Sequence, residues 1–232
     1  MSMTPENCAE KAARRVPRGE KRREEIAAVA ERVFLRRGFA ETTMQIIAEE
    51  AGASKETLYR HFGSKEGLFS EVIRSRSVRI TGGNEGELCV EASPHEILRD
   101  LGLNLLRFLV SPDSLCLYRA IVTEVPREPE LARIFYTQGP ARLLNQFTRY
   151  LISATRRGTL CCPEPELAAK LFIGAVVANY QLIGLLALDE DTFSDQRMRA
   201  HIDEAVDMFL ARYGTPSAGG AAHVAPQKGA KP

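Results

Sequence analysis

Between Ser54 and Phe62 the chain reads SKETLYRHF, where Lys55, Glu56, Thr57, Tyr59, Arg60 and His61 all carry hydrogen-bonding groups and only Leu58 and Phe62 are apolar. At about 100° per residue Leu58 and Phe62 share one helical face, leaving donors and acceptors over the rest of the surface. Such side chains match base edges in a DNA major groove, where Lys or Arg pairs with guanine and Glu accepts from cytosine N4. Lys55, Glu56 and Arg60 are therefore the candidate base-reading residues. Thr43, Ser54, Thr57, Tyr59, His61 and Lys65 are candidates for phosphate contacts, with Lys65 at a helix N-terminus where the dipole also favours an anion. An ordinary polar surface helix, with His61 a packed neutral histidine, accounts for the same residues without DNA.

Positioning such a helix requires its neighbours. Ser54 is the expected N-cap, after a connection of only Ala51 to Ala53. The preceding helix is predicted over Met44 to Glu50, capped by Thr42 or Thr43, with Ile47 and Ala48 inward and Gly52 as its stop. Two short helices across so tight a turn must cross steeply, as in a helix-turn-helix. A first helix is expected from Glu20 to Arg37, burying Ile26, Ala30, Val33 and Phe34 and ending at Gly38. Ser64 opens a fourth, running through Leu68, Phe69, Val72 and Ile73 until GGNEGE at 82–87 breaks the pattern.

The run from Phe39 to Phe69, FAETTMQIIAEEAGASKETLYRHFGSKEGLF, resembles the DNA-binding domain of TetR-family repressors, although that pattern commonly carries glycine where this chain has Glu56. The resemblance covers the N-terminal third. It implies a homodimeric repressor of palindromic operator DNA, whose C-terminal domain binds a small-molecule effector and thereby releases the DNA.

Charge is distributed in keeping with a polyanion partner. Residues 1–80 hold 16 Lys and Arg against 12 Asp and Glu, net +4, whereas the remainder holds 15 against 18, net −3. Residues 1–19 and 214–232 lack apolar periodicity and are expected to be disordered. The predicted organisation is thus all-α: a helix-turn-helix DNA-binding domain over 20–66 and a larger helical ligand-binding and dimerisation domain over 67–213.

In the second domain Ser93-Pro94-His95-Glu96 predicts a helix to about Val110, and Ser111-Pro112 the next, ending near Pro126. A long helix to Arg157, bent at Gly139-Pro140, and a last one from Ser194 to Gly214 follow. Leu167 to Leu188 is long enough for a membrane span, yet Lys170, Asn179 and Gln181 interrupt it. Burial on more than one side is the better expectation, in a two-fold interface built with the final helix. Leu171, Gly174, Ala175, Ala178, Leu182, Val206 and Phe209 are its candidates; a monomer's central core helix is the other reading. Phe108, Tyr118, Val122, Phe135, Tyr136, Phe147 and Tyr180 are candidate pocket-lining residues, with Arg119, Glu124, Asn179 and Gln181 as polar contacts.

Five cysteines (Cys8, Cys89, Cys116, Cys161 and Cys162) and four scattered histidines fit neither a disulfide framework nor a metal module, so no metal or cofactor is expected. The vicinal Cys161-Cys162 raises thiol sensing, although adjacent cysteines rarely bridge comfortably. Met1 to Glu25 is polar and charged rather than a secretory leader, which points to the cytoplasm. Two other functions are to be weighed: a helical enzyme acting on a small molecule, for which no catalytic motif is visible, and a DNA-binding protein without an effector.

Overall fold

The computed structural model describes residues 18–81, 92–188 and 193–215, so the expected disordered ends up to residue 17 and beyond 215, the Gly82-Gly83 break, Cys8, Cys89 and His223 lie outside the described residues. Among the described residues there are eleven α-helices. They are α1 (Arg18–Arg37), α2 (Met44–Glu50), α3 (Lys55–Phe62), α4 (Lys65–Ile80), α5 (Pro94–Val110), α6 (Pro112–Glu124), α7 (Pro129–Gln138), α8 (Pro140–Arg156), α9 (Pro165–Val177), α10 (Tyr180–Leu186) and α11 (Asp195–Tyr213). An isolated β-bridge joins Leu160 to Gly214. The chain divides into two compact units between Val72 and Ile73, inside α4.

In the first unit α1 buries Ile26, Ala30, Val33 and Phe34 and stops at Gly38, whose φ of 74° suits glycine. Phe34, Phe39 and Phe69 meet with ring centroids 5.3 to 5.7 Å apart, closing the core around α1 and α4. Of the two threonines proposed as caps, Thr43 takes the role: its Oγ1 accepts from the Ile46 amide at 3.2 Å. Thr42 is fully buried and donates to the Gly38 carbonyl at 2.6 Å. Gly52 (φ 55°) ends α2, and the Ala53 amide reaches back to the Ala48 carbonyl at 3.0 Å.

The second unit is built around α5, α8, α9 and α11, whose Leu98, Leu106, Phe147, Phe172 and Ile202 are essentially inaccessible. Ser93 and Glu96 form the expected capping box at the start of α5. Gly102 allows close approach of α11, because a Cβ there would lie 3.0 Å from Ile202 Cγ2. Gly139 and Pro140 divide the expected bent helix into two separate helices, α7 and α8. Ser194 occupies the N-cap position of α11 but makes no side-chain cap bond.

A break also divides the apolar run expected to be continuous. Ala178 takes φ 34° and ψ −124°, a conformation disfavoured for any residue with a Cβ, and α10 leaves α9 at 44°. His201 on α11 attends the broken end, its Nε2 lying 2.9 Å from the Ala175 carbonyl oxygen and 3.1 Å from that of Val176. Among the described residues no single helix is long and apolar enough to cross a membrane; α9 and α10 have that length and composition only as a bent pair.

Candidate DNA-binding face and ligand cavity

The α3 helix is fixed at its start by Ser54, whose Oγ accepts from the Thr57 amide at 3.1 Å and lies 2.8 Å from Thr57 Oγ1. Leu58 and Phe62 alone anchor it to the core. Lys55, Glu56, Tyr59 and Arg60 are exposed along its outer face, while Thr57 and His61 are half-buried, the His61 ring lying 6.0 Å from that of Phe62. All three candidate base readers thus stand on one accessible surface. Thr43 and Ser54, both exposed, stand at the starts of α2 and α3.

Lys65 sits differently from a freely presented phosphate ligand. Its Nζ donates to the Phe39 carbonyl at 2.9 Å and rests 4.1 Å above the centre of the Phe39 ring, tying the start of α4 to the loop after α1. Next to it the Glu66 carboxyl is held below its ordinary value, first by its own backbone amide and then by the Ser64 hydroxyl.

Two arginines absent from the sequence-derived candidates hold this unit in shape. Arg22 Nη2 donates to the carbonyls of Ala51 (3.0 Å) and Gly52 (2.9 Å), the exposed end of α2 at the turn into α3. Arg23 pairs with Glu71 at 2.7 Å and covers the Phe62 ring with its guanidinium carbon 5.6 Å from the centroid, joining α1 to α4 beside the end of α3. Contacts across 29 and 30 residues leave no mark in local periodicity.

In the second unit a cavity of about 410 Å³ opens among α4, α5, α6, α7, α8, α9 and α10. From the expected set, Phe108, Tyr118, Phe135, Tyr136 and Gln181 line it. The others do not. Val122 is exposed on the outer side of α6, and Phe147 is wholly enclosed in the core against Tyr150, Phe172 and Phe209. Tyr180 packs on His201, with centroids 4.9 Å apart, and its hydroxyl reaches the Arg197 carbonyl. Arg119 caps α10 by donating to the carbonyls of Gly184 (2.7 Å) and Leu185 (3.0 Å). Neither Glu124 nor Asn179 is among the lining residues.

The lining also includes Arg76, Ser77 and Ser114, which the sequence reading missed. Ile73, Arg76, Ser77 and Ile80 follow one another at i, i+3, i+4 and i+7 along α4, so the helical period holds the signal that could have found Arg76 and Ser77, while nothing comparable marks Ser114 on α6.

Two of the expected interface residues instead face inward. Val206 (0% exposed) and Phe209 (5%) belong to the protomer's own core, packed under α9. Gly174, Ala178, Leu171 and Leu182 are exposed and Ala175 is half-buried. The outer surface of α9, α10 and α11 further exposes Leu167, Leu186 and Met208. Cys161 is exposed and Cys162 buried, and burial pushes the Cys162 thiol up, the reverse of what thiolate chemistry requires. Among the described residues no group of three or more His, Cys, Asp or Glu is placed to hold a metal ion.

A helix-turn-helix unit followed by a larger helical unit is the build of a helix-turn-helix transcription regulator, and comparison with known proteins agrees. Residues 26–72 match the family of bacterial regulatory proteins named for TetR, and residues 96–215 match the C-terminal domain of AefR-like transcriptional repressors. The chain belongs to the TetR family of transcriptional regulators, proteins that bind DNA through a helix-turn-helix and act mostly as repressors. It is similar to a TetR-family regulator from Mesorhizobium loti MAFF303099, with 31% identity, a TM-score of 0.70, and coverage of 86% of this chain and 100% of that one. The flavonoid-responsive regulator FrrA is similar at 28% identity with a TM-score of 0.65, over 85% of this chain and 99% of its own. In Bacillus subtilis (strain 168) the HTH-type regulator YezE is 24% identical over 180 residues, 76% of this chain and 90% of that protein.

Proposed function

We propose that the protein is a cytoplasmic, ligand-responsive repressor that binds palindromic operator DNA as a homodimer and releases it when a small molecule enters the cavity of the second unit. The observation that carries this reading is the outer face of α3, where Lys55, Glu56 and Arg60 stand exposed on a capped helix anchored by Leu58 and Phe62. In this reading those three side chains meet base edges, and Thr43, Ser54, Thr57, Tyr59 and His61 hold phosphates. Lys65 contributes its field to the backbone while keeping its bond to Phe39.

Dimerisation is supported by the apolar side chains that α9, α10 and α11 leave uncovered: Leu171 is 56% exposed, Leu182 54% and Met208 55%. Large apolar groups gathered on a few neighbouring elements signal an interface. A ligand response is supported by the cavity, and among the relatives FrrA is named for one.

The proposed release is supported by α4, which gives Leu68, Phe69 and Val72 to the core of the first unit and Ile73, Arg76, Ser77 and Ile80 to the cavity wall. In this reading a ligand in the cavity acts on the second half of α4. Half-sites lie about 34 to 36 Å apart in successive major grooves, so a small rigid-body change in a dimer stops both α3 helices from docking together.

Selection of bound sequences from random duplex DNA tests the reading: two inverted half-sites should emerge, and Arg60→Ala should relax the preference at one or two positions in each. Enrichment of unpaired sites, or no enrichment at all, sinks it.

A further inference from the structure

The hydrogen-bonding groups left open on the cavity wall are uncharged. Among the described lining residues Arg76 alone carries a formal charge, and it is 4% exposed and already engaged. Its Nη2 donates to Ser114 Oγ at 2.7 Å, its guanidinium carbon lies 5.1 Å from the centre of the Phe108 ring, and these are not its only contacts. Ser114 Oγ is engaged in turn, 2.9 Å from Ser111 Oγ. By contrast, the side chains of Ser77, Tyr118 and Gln181 make no hydrogen bond among the described residues, although Ser77 is only 5% exposed and the other two are half-buried. Each of the three can both donate and accept. Aromatic side chains form the other distinctive part of the wall: Tyr118 and Phe135 meet at 75° with centroids 5.8 Å apart, a corner into which a flat ring can pack face-on to one and edge-on to the other. The volume of about 410 Å³ equals that of roughly fourteen liquid waters, which suits one or two rings.

Resting on the reading of this cavity as the effector site, we infer that its ligand is an uncharged aromatic compound of one or two rings bearing hydroxyl or carbonyl groups. The ring lies in the Tyr118–Phe135 corner, and its polar substituents pair with the Ser77 hydroxyl and the Gln181 amide. Charge is what the wall turns away. An amine finds no carboxylate among the described lining residues, and an anion has to compete with the contacts that already hold Arg76. Either ion gives up its hydration on entering an apolar cavity and recovers little of it there. A neutral hydroxyl or carbonyl loses less, and regains it from partners of matching strength. A plain hydrocarbon fills the volume yet leaves the Ser77 hydroxyl desolvated and unpaired.

A series on one ring skeleton tests this with the full-length protein at pH 7 and no DNA. The uncharged members are 2-naphthol and 2-naphthamide, the anion is 2-naphthoate, the cation is 2-naphthylmethylamine, and naphthalene is the reference. Titration calorimetry should give 2-naphthol or 2-naphthamide a Kd about tenfold or more below that of either ion, and about threefold or more below that of naphthalene. Ser77→Ala or Gln181→Leu should remove the advantage over naphthalene while changing the affinity for naphthalene itself less than about threefold. Should Gln181→Leu fail to fold by circular dichroism, Ser77→Ala and the ranking in the unmodified protein decide. An ion that binds as tightly as the neutral compounds, a series in which neither 2-naphthol nor 2-naphthamide binds, or an advantage over naphthalene that survives both substitutions overturns the inference.

DNA binding is scored separately by anisotropy on a selected site. Preference for the uncharged compounds in a protein that never binds DNA would defeat the regulatory reading and leave this inference standing. DNA released by the ions and not by the neutral compounds would do the opposite.

Discussion

Replacing Arg22 by alanine should loosen the recognition helix without touching DNA. Arg22 sits on α1, yet its Nη2 donates to the carbonyls of both Ala51 and Gly52, the groups left over at the end of α2 where the chain turns toward α3. Each bond from a charged donor is worth about 1.5 to 3 kcal/mol when buried, and a cation at a helix C-terminus adds about 0.3 to 1 kcal/mol. The side chain is 38% exposed and also faces Glu25, so solvent screening reduces the total to about 1 to 2 kcal/mol. A loss of that size lowers the midpoint of thermal unfolding by roughly 2 to 8 °C for a domain of this scale. The angle between α2 and α3 becomes less defined, and operator affinity should fall about tenfold. Anisotropy titrations across a series of salt concentrations separate positioning from phosphate contact, because removing one phosphate contact lowers the salt slope by about 1. The expected result is weaker binding at every salt with an unchanged slope. A slope reduced by one unit would make Arg22 a phosphate ligand, and unchanged stability together with unchanged affinity would remove its structural role.

Other perturbations address the second unit. The Tyr150 hydroxyl is buried with no hydrogen-bond partner among the described residues, so Tyr150→Phe should raise stability by about 1 kcal/mol in urea unfolding. Burial also pushes its phenol up to about 12. The wild-type fold should therefore lose stability as pH rises from 10 toward 12, where only the unfolded chain ionises, and this loss should be smaller in Tyr150→Phe. At the acid end, the Ser93 hydroxyl and then its backbone amide hold the Glu96 carboxyl below its ordinary value. That contribution is present above the usual carboxylate range and fades as pH falls through it, so Ser93→Ala should flatten the acid limb of a stability–pH curve as well as cost about 1 kcal/mol as a lost cap. Gly102→Ala would drive a Cβ to within 3.0 Å of Ile202 Cγ2 and 3.5 Å of Val176 Cγ2, and differential scanning calorimetry should register about 1 to 3 kcal/mol of overpacking. Leu171→Glu with Leu182→Glu should convert the proposed dimer to a monomer in sedimentation velocity while leaving helical content intact, since both side chains are exposed in the protomer.

The first unit was legible because its signals are local. Thr43, Ser54, Gly38, Gly52 and Gly63 mark the limits of α1, α2 and α3, and Leu58 and Phe62 fix which face of α3 turns inward. Each is a cap, a positive φ or a period of three to four residues, and all act within a turn or two of the chain. The cavity was only half legible. Phe108, Tyr118, Phe135 and Tyr136 could be named from residue type, but Phe147 and Tyr180 are of the same type and differ only in what surrounds them. Phe147 meets Phe172 and Phe209 from distant helices, and Tyr180 meets His201. Val206 and Phe209 were misplaced for a related reason. The apolar stripe of α11 carries no mark saying whether its partner is α9 of the same chain or of another copy, and Met208, next to Phe209, is the residue left outside.

The break at Ala178 was the least legible feature, and its physical origin explains why. Nothing in GAVVANYQL stops a helix, and alanine is the residue most at home in one. The chain nevertheless leaves the helical region there, at a conformation costing on the order of 1 to 3 kcal/mol for a residue with a Cβ. Compensation comes from elsewhere in the fold: His201 attends the carbonyls of Ala175 and Val176, and Arg119 those of Gly184 and Leu185. The bend sets Val177 and Gln181 against the cavity and turns Leu182 outward. One unfavourable backbone position thereby allows a short apolar segment to serve a pocket wall and an uncovered surface at once, an arrangement that an unbroken helix with the same residues has no way to supply.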